Sequence, residues 1–143
     1  MSTPCLATIL AAIYAQDITE LDPRDIGSLK DSFAFSTWED APLEEVLNRL
    51  IVLLSQSPDR EKGWLLTSTI KEGLRKSIEI NPSFEPILPF LQPDQDPAYL
   101  AMLISCIGAT NQRKYRHLID PFTQHEDDLL RKYAWEAYVF MKW

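Results

Sequence analysis

Glycine, cysteine and histidine are scarce in this chain of 143 residues. It has four glycines, too few to favour a glycine-rich loop whose backbone N–H groups cradle phosphates. Cys5 and Cys106 stand far apart, so they form neither a disulfide framework nor the paired-cysteine spacing of a zinc site. His117 and His125 are joined by no regular array of Cys or carboxylates. We therefore expect no metal and no cofactor.

Long hydrophobic runs are also missing. No stretch reaches the roughly 20 apolar residues that a membrane-spanning helix needs. The apolar segment 5–15 has no Lys or Arg before it, unlike a signal peptide. Together with two cysteines that fit a reducing compartment, this predicts a soluble cytoplasmic protein.

Catalytic motifs are absent as well. There is no serine nucleophile elbow, and Cys106 falls in the apolar stripe of a predicted helix, where an inert buried thiol is expected. We predict that the protein is not an enzyme.

The chain does contain apolar residues at helical spacing along most of its length. The pattern predicts helices over 4–16, 23–34, 42–56, 58–79 and 127–143, and no segment alternates long enough to predict a strand. Six of the ten prolines stand where a helix is expected to begin, the position at which a missing N–H costs nothing: Pro4, Pro23, Pro42, Pro58, Pro82 and Pro97. Pro86 and Pro89 predict a short or bent helix after residue 84.

A weak internal repeat sets the expected architecture. Residues 84–108 align with 115–139 at an offset of 31, so that apolar positions match apolar positions and Asp96 matches Asp127. Repeats of this length are helical hairpins that bury their apolar faces on their neighbours. We predict a single all-α domain over 1–143, built of stacked antiparallel helix pairs as a short α-solenoid or a helical bundle. Its parts are N-terminal helices over 4–38 and helix pairs over 42–79, 84–110 and 115–143.

The segment 127–138 resembles the second helix of a HEAT-type repeat. That pattern has Asp, an aliphatic residue and Arg at the helix start, here Asp127 to Arg131, followed by two small residues three apart, Ala134 and Ala137. Residues 96–108 are similar, with Leu100 in place of the Arg. The resemblance covers about the last sixty residues and, more loosely, 42–79. It implies a protein-binding scaffold without chemistry of its own.

The net charge of −7 is carried by the N-terminal third of the chain. Residues 17–61 hold eleven acidic and four basic side chains, whereas residues 62–143 hold ten of each. In this third, carboxylates surround the aromatic residues Phe33, Phe35 and Trp38, a composition typical of a partner-binding patch. The predicted partner-binding residues are Asp31, Phe35, Trp38, Glu39, Asp40, Glu44 and Glu45. The alternative is that the aromatic residues fill space between helices and the carboxylates are simply solvated.

A second candidate surface lies on the C-terminal helix. Away from its apolar stripe, this helix carries Trp135, Val139, Phe140 and Trp143. These residues either meet another chain or are covered by the N-terminal helices. We expect them to be covered, because large exposed apolar patches are rare on monomers.

In size, charge and helical-repeat character the chain resembles bacterial immunity proteins, which neutralise toxins that are often nucleases. The resemblance implies an inhibitor that occludes the active site of a basic toxin. The negative charge disfavours a nucleic acid as the partner, and we expect no membrane association. The alternative is a HEAT-like adaptor without catalytic activity. A third possibility is a small enzyme or ligand-binding domain whose site forms only in three dimensions.

Overall fold

The computed structural model describes residues 6–15, 19, 21–77, 79–110 and 112–141. Its α-helices are α1 (Leu6–Ala15), α2 (Pro23–Phe35), α3 (Asp40–Leu54), α4 (Arg60–Leu74), α5 (Pro97–Gly108), α6 (Arg116–Ile119) and α7 (Asp128–Phe140). Shorter 3₁₀ helices span Glu85–Phe90, Arg113–Tyr115 and Asp120–Gln124. Within the described ranges no strand forms, so the all-α prediction is confirmed. Pro4, Cys5, Ile78 and Trp143 lie outside the described residues.

The helices pack in two rows. One row contains, in order, α2, α4, α5 and α7, and each of these helices packs on the next. The second row contains α1, α3 and the 3₁₀ helix Glu85–Phe90, and α3 contacts the other two. In the first of these rows the Lys71 ammonium of α4 donates to the Ser105 hydroxyl of α5 at 3.0 Å. Across the rows the Tyr99 hydroxyl, near the start of α5, donates at 2.6 Å to the carbonyl of Leu54, the last residue of α3. The end of α3 therefore lies next to the start of α5.

Residues 31 apart occupy equivalent places in this arrangement. Asp96 and Asp127 are the N-cap residues of α5 and α7. Phe84 and Tyr115, also 31 apart, touch each other edge to face with ring centroids 5.6 Å apart. Contact between matching positions is what neighbouring units of a stack produce.

The prolines mark helix starts less regularly than predicted. Pro23 and Pro97 are the first residues of α2 and α5, as expected. Helix α3 begins two residues before Pro42, and α4 begins two residues after Pro58. The prediction for Pro82 is wrong, because no helix starts there.

Residues 79–84 are held on α3 instead of forming a helix. The backbone N–H of Asn81 donates to the Glu44 carboxylate, and that of Ser83 donates to the Asn48 side chain at 2.7 Å. Donors satisfied in this way have no need of a helical partner. The next element is the six-residue 3₁₀ helix with Pro86 and Pro89, which confirms the short helix predicted there.

Helix α7 ends the first row and leaves one side open. Its face toward α5 buries Leu130, Ala134 and Ala137. Its outer face exposes Trp135, Val139 and Phe140, with 46, 57 and 59% of each residue accessible. The expectation that these residues are covered is therefore wrong for the three that the structure describes. In the described residues, the N-terminal helices α1 and α2 pack on each other and on α3 and α4.

Candidate functional site

The end of α2, next to the short connection to α3, presents one strongly exposed aromatic side chain. Phe35, the last residue of α2, is 87% exposed, whereas Phe33 is fully buried. Two residues advance an α-helix by about 200°, so these rings must point to opposite sides. The apolar stripe of α2 buries Phe33, and Phe35 is left facing solvent.

Trp38 fixes the shape of this connection. Its ring meets Phe33 edge to face at 5.0 Å, and its indole N–H donates to the Ser32 hydroxyl at 3.1 Å. The residue is consequently half-buried and ties the segment after α2 back onto that helix. Trp38 thus supports the position of Phe35 and presents only part of its own surface to a partner.

Three of the predicted carboxylates lie exposed beside Phe35. Asp31 precedes it by about one helical turn, and Glu39 and Asp40 follow the connection. Because α3 begins two residues earlier than predicted, Glu39 is its N-cap and Asp40 its first residue. A helix N-terminus favours nearby carboxylates, so the start of α3 by itself explains these two residues. Asp31 has no such explanation.

Glu44 and Glu45 face other parts of the molecule. Glu44 accepts the N–H of Asn81, as described above. Glu45 lies against Tyr14 of α1: burial raises the pKa of Tyr14, and the charge of Glu45 raises that pKa further. The structure therefore gathers Asp31, Phe35, Glu39 and Asp40, which we call the Phe35 surface, and places the other two predicted carboxylates further along α3.

Few basic side chains lie near the Phe35 surface along the chain, which Lys30 precedes and Arg49 follows. Residues 31–48 contain five carboxylates and no Lys or Arg. The next cation, Arg49, donates to the carbonyl of Tyr14 at 2.7 Å and lies over the ring of that residue. Among the described residues, the carboxylates of the Phe35 surface form no ion pair. The surface thus combines an exposed ring with unpaired negative charge.

The other candidate residues show no reactive geometry. Burial raises the pKa of Cys106 to about 12, so its thiol stays neutral and is a poor nucleophile. His125 accepts the N–H of Asp127 at 3.0 Å and stacks on Phe122, which is a structural role. His117 is exposed. In the part of the chain that the structure describes, no cluster of His, Cys, Asp or Glu is arranged to hold a metal ion.

Comparison of the chain with protein families, curated proteins and solved structures finds no match. Nor does any helix of the described ranges combine the length and apolar character needed to cross a membrane.

Proposed function

We propose that this protein is a cytoplasmic inhibitor that binds a basic protein through the Phe35 surface, in the manner of bacterial immunity proteins. The observation that carries the proposal is the 87% exposure of Phe35 at the end of α2, next to a connection held in place by Trp38. Burying such a ring in a partner's pocket contributes roughly 1.5–3 kcal/mol. Because Trp38 already orders the backbone, little conformational entropy is lost on binding.

The charge around Phe35 supports a basic partner. Asp31, Glu39 and Asp40 are exposed and unpaired among the described residues, so they attract a cationic surface from a distance. A nuclease groove carries Lys and Arg for substrate phosphates, and carboxylates placed there pair with the same groups. The inhibitor would then act by occlusion and would need no chemistry of its own.

A genetic experiment tests the inhibitor role directly. An immunity gene lies beside the gene of its toxin, so we expect the neighbouring gene to encode a protein that stops growth when it is expressed alone. Co-expression of this chain should restore growth. A neighbouring product that is harmless, or a toxin that this chain neither binds nor neutralises, contradicts the proposal.

Charge reversal then tests the surface once the partner is purified. Replacing Asp31, Glu39 and Asp40 with Lys should slow association and speed dissociation, with the larger change at low salt. A matched control reverses three exposed carboxylates elsewhere and changes the net charge equally: Glu79, Asp94 and Glu126. Surface plasmon resonance at two ionic strengths separates the effects. Equal association and dissociation rates for the two triple variants would show that only the total charge matters and would contradict a role of the Phe35 surface in binding.

Phe35→Ala tests the anchor. We expect binding to weaken at least about tenfold, mainly through faster dissociation, as the loss of a buried anchor does. Leu129→Ala is the control, because Leu129 is a large apolar side chain that is 50% exposed on α7. A Phe35 variant that binds as tightly as this control would contradict the anchor role.

An adaptor is the second candidate, favoured by the open face of α7. Trp135, Val139 and Phe140 give the molecule a second exposed apolar surface on a different helix. An adaptor must hold two proteins at once, so light scattering after size-exclusion chromatography should find a ternary complex. Mutation of Val139 to Asp should then remove one partner and leave the other. A complex with one partner only would reject the adaptor function.

A further inference from the structure

A cleft lies where α4, α5 and α7 meet, and none of the predicted binding residues lines it. Its volume is about 250 Å³. Gly108 and Ala137 form part of its lining, and a Cβ added at Gly108 would lie 2.4 Å from the Ala137 Cβ. Small residues at this contact let the helices approach closely, while longer side chains from α4 and α7 form the walls.

The cleft has a positive wall and a negative wall. On α4, the half-buried Lys71 donates to the Ser105 hydroxyl at 3.0 Å, and Arg75 stands beside it. Arg75 is mostly exposed and pairs with Glu72 at 3.6 Å, so its charge is partly offset. Glu136 stands on the α7 side of the cleft. Among the described residues, Lys71 and Glu136 form no ion pair with each other or with any other side chain.

These charges suit a ligand that is itself zwitterionic. Glu136 stands on the wall opposite Lys71, and Glu72, which lies outside the lining, partly offsets the charge of Arg75. What the cleft offers is separation of the two signs across a narrow space. A ligand with a carboxylate at one end and an ammonium close by can pair with both walls at once, whereas a singly charged ligand pairs with only one of them.

Aromatic side chains supply an apolar surface beside these charges. The Tyr133 ring is half-buried and packs on Trp64 with centroids 5.5 Å apart, which holds it in place. Phe140 lines the same cleft and is 59% exposed. The volume is just below the roughly 300–1,000 Å³ of sites for drug-sized ligands, so the ligand must be smaller than a nucleotide.

We propose that this cleft binds a free α-amino acid with an apolar or aromatic side chain. The carboxylate pairs with Lys71 and the Ser105 hydroxyl, the ammonium pairs with Glu136, and the side chain packs on Tyr133 and Phe140. This site is independent of the Phe35 surface, since the two share no residue.

Calorimetric titration with three related compounds tests the charge pattern. L-phenylalanine carries both charges, 3-phenylpropionate lacks the ammonium, and 2-phenylethylamine lacks the carboxylate. We expect L-phenylalanine to bind with millimolar or better affinity and each analogue to bind about tenfold more weakly, because each analogue makes only one of the two ion pairs with the cleft. Failure of the protein to bind L-phenylalanine and also L-leucine and L-methionine at millimolar concentration would overturn the proposal.

Variants assign each end of the ligand to its wall. Lys71→Met should weaken the binding of L-phenylalanine and of 3-phenylpropionate about tenfold and leave the binding of 2-phenylethylamine unchanged. Glu136→Gln should weaken the binding of L-phenylalanine and of 2-phenylethylamine about tenfold and leave the binding of 3-phenylpropionate unchanged. Lys132→Met is the control, because Lys132 is exposed on α7 and does not line the cleft. Glu136 is exposed, so its variant keeps the test valid if Lys71→Met does not fold. Wild-type affinity for L-phenylalanine in Glu136→Gln would contradict the zwitterion assignment and leave an anion site instead.

Discussion

The contact between Gly108 of α5 and Ala137 of α7 can be tested by adding a single methyl group. In Gly108→Ala the new Cβ would lie 2.4 Å from the Ala137 Cβ and 2.8 Å from its Cα. Carbon atoms pack at about 3.5–4.0 Å, so the two helices must separate by about 1 Å at this point. The Ala137 Cα is backbone and cannot rotate away.

The cost follows from this geometry. Overpacking of a tight contact costs about 1–3 kcal/mol of unfolding free energy. The higher helix propensity of alanine offsets at most about 1 kcal/mol of this cost. The offset is smaller here because Gly108 is the last residue of α5. We therefore expect Gly108→Ala to lower the unfolding free energy by about 1–2 kcal/mol.

Gly27→Ala is the matched control. Gly27 lies inside α2, and apart from its chain neighbours and the backbone of its own helix no described atom lies within 4 Å of a Cβ built there. This variant gains helix propensity without a clash and should raise the unfolding free energy by about 0.5–1 kcal/mol. At roughly 3 °C per kcal/mol, the melting temperatures of the two variants should differ by about 5 °C or more.

Thermal and urea unfolding, followed by circular dichroism, measure the melting temperature and the unfolding free energy of both variants. Adding Ala137→Gly to Gly108→Ala removes the closest contact, so the double variant should show a favourable coupling energy. If Gly108→Ala is stabilised as much as Gly27→Ala, the helices α5 and α7 are not packed tightly at Gly108, and the expected overpacking is refuted.

Three further outcomes are expected. Ala137→Leu overpacks the same contact and should cost about 1–3 kcal/mol, and an unchanged melting temperature would place this face of α7 away from α5. In a Cys5→Ser background, Cys106 should not react with a thiol reagent in the native protein at pH 8, because burial raises its pKa to about 12. It should react fully after unfolding, and fast labelling of the native protein would refute its burial. Burial also raises the pKa of Tyr99, so the unfolded state loses its tyrosine proton first, near pH 10, and stability falls as the pH rises beyond that value. Tyr99→Phe loses the hydrogen bond to Leu54, which contributes about 1 kcal/mol to the unfolding free energy at pH 7. Between pH 8 and pH 10.5, however, urea unfolding should show a smaller decrease in unfolding free energy for this variant than for wild type. Equal decreases would contradict the expectation.

Local sequence determined the helices of this protein and their apolar faces. The spacing of Leu43 to Leu54 requires one buried stripe on α3, whichever neighbour covers it. Pro86 and Pro89 restrict the backbone wherever they stand, so the short 3₁₀ helix could be predicted. The offset of 31 residues likewise anticipated that α5 and α7 begin at equivalent aspartates. Each of these features depends on residues close in sequence.

Tertiary structure alone decided which surfaces stay open. Periodicity shows that a side chain lies off the apolar stripe, but it does not show whether another helix covers it. Phe33 and Phe35 are the same residue type two positions apart, and only the packing of α2 buries one and exposes the other. The side chains of Lys71, Ser105 and Glu136 come from three helices, and no spacing in the sequence connects them. They meet because α4, α5 and α7 stack side by side, and the contact at Gly108 sets how closely the last two approach.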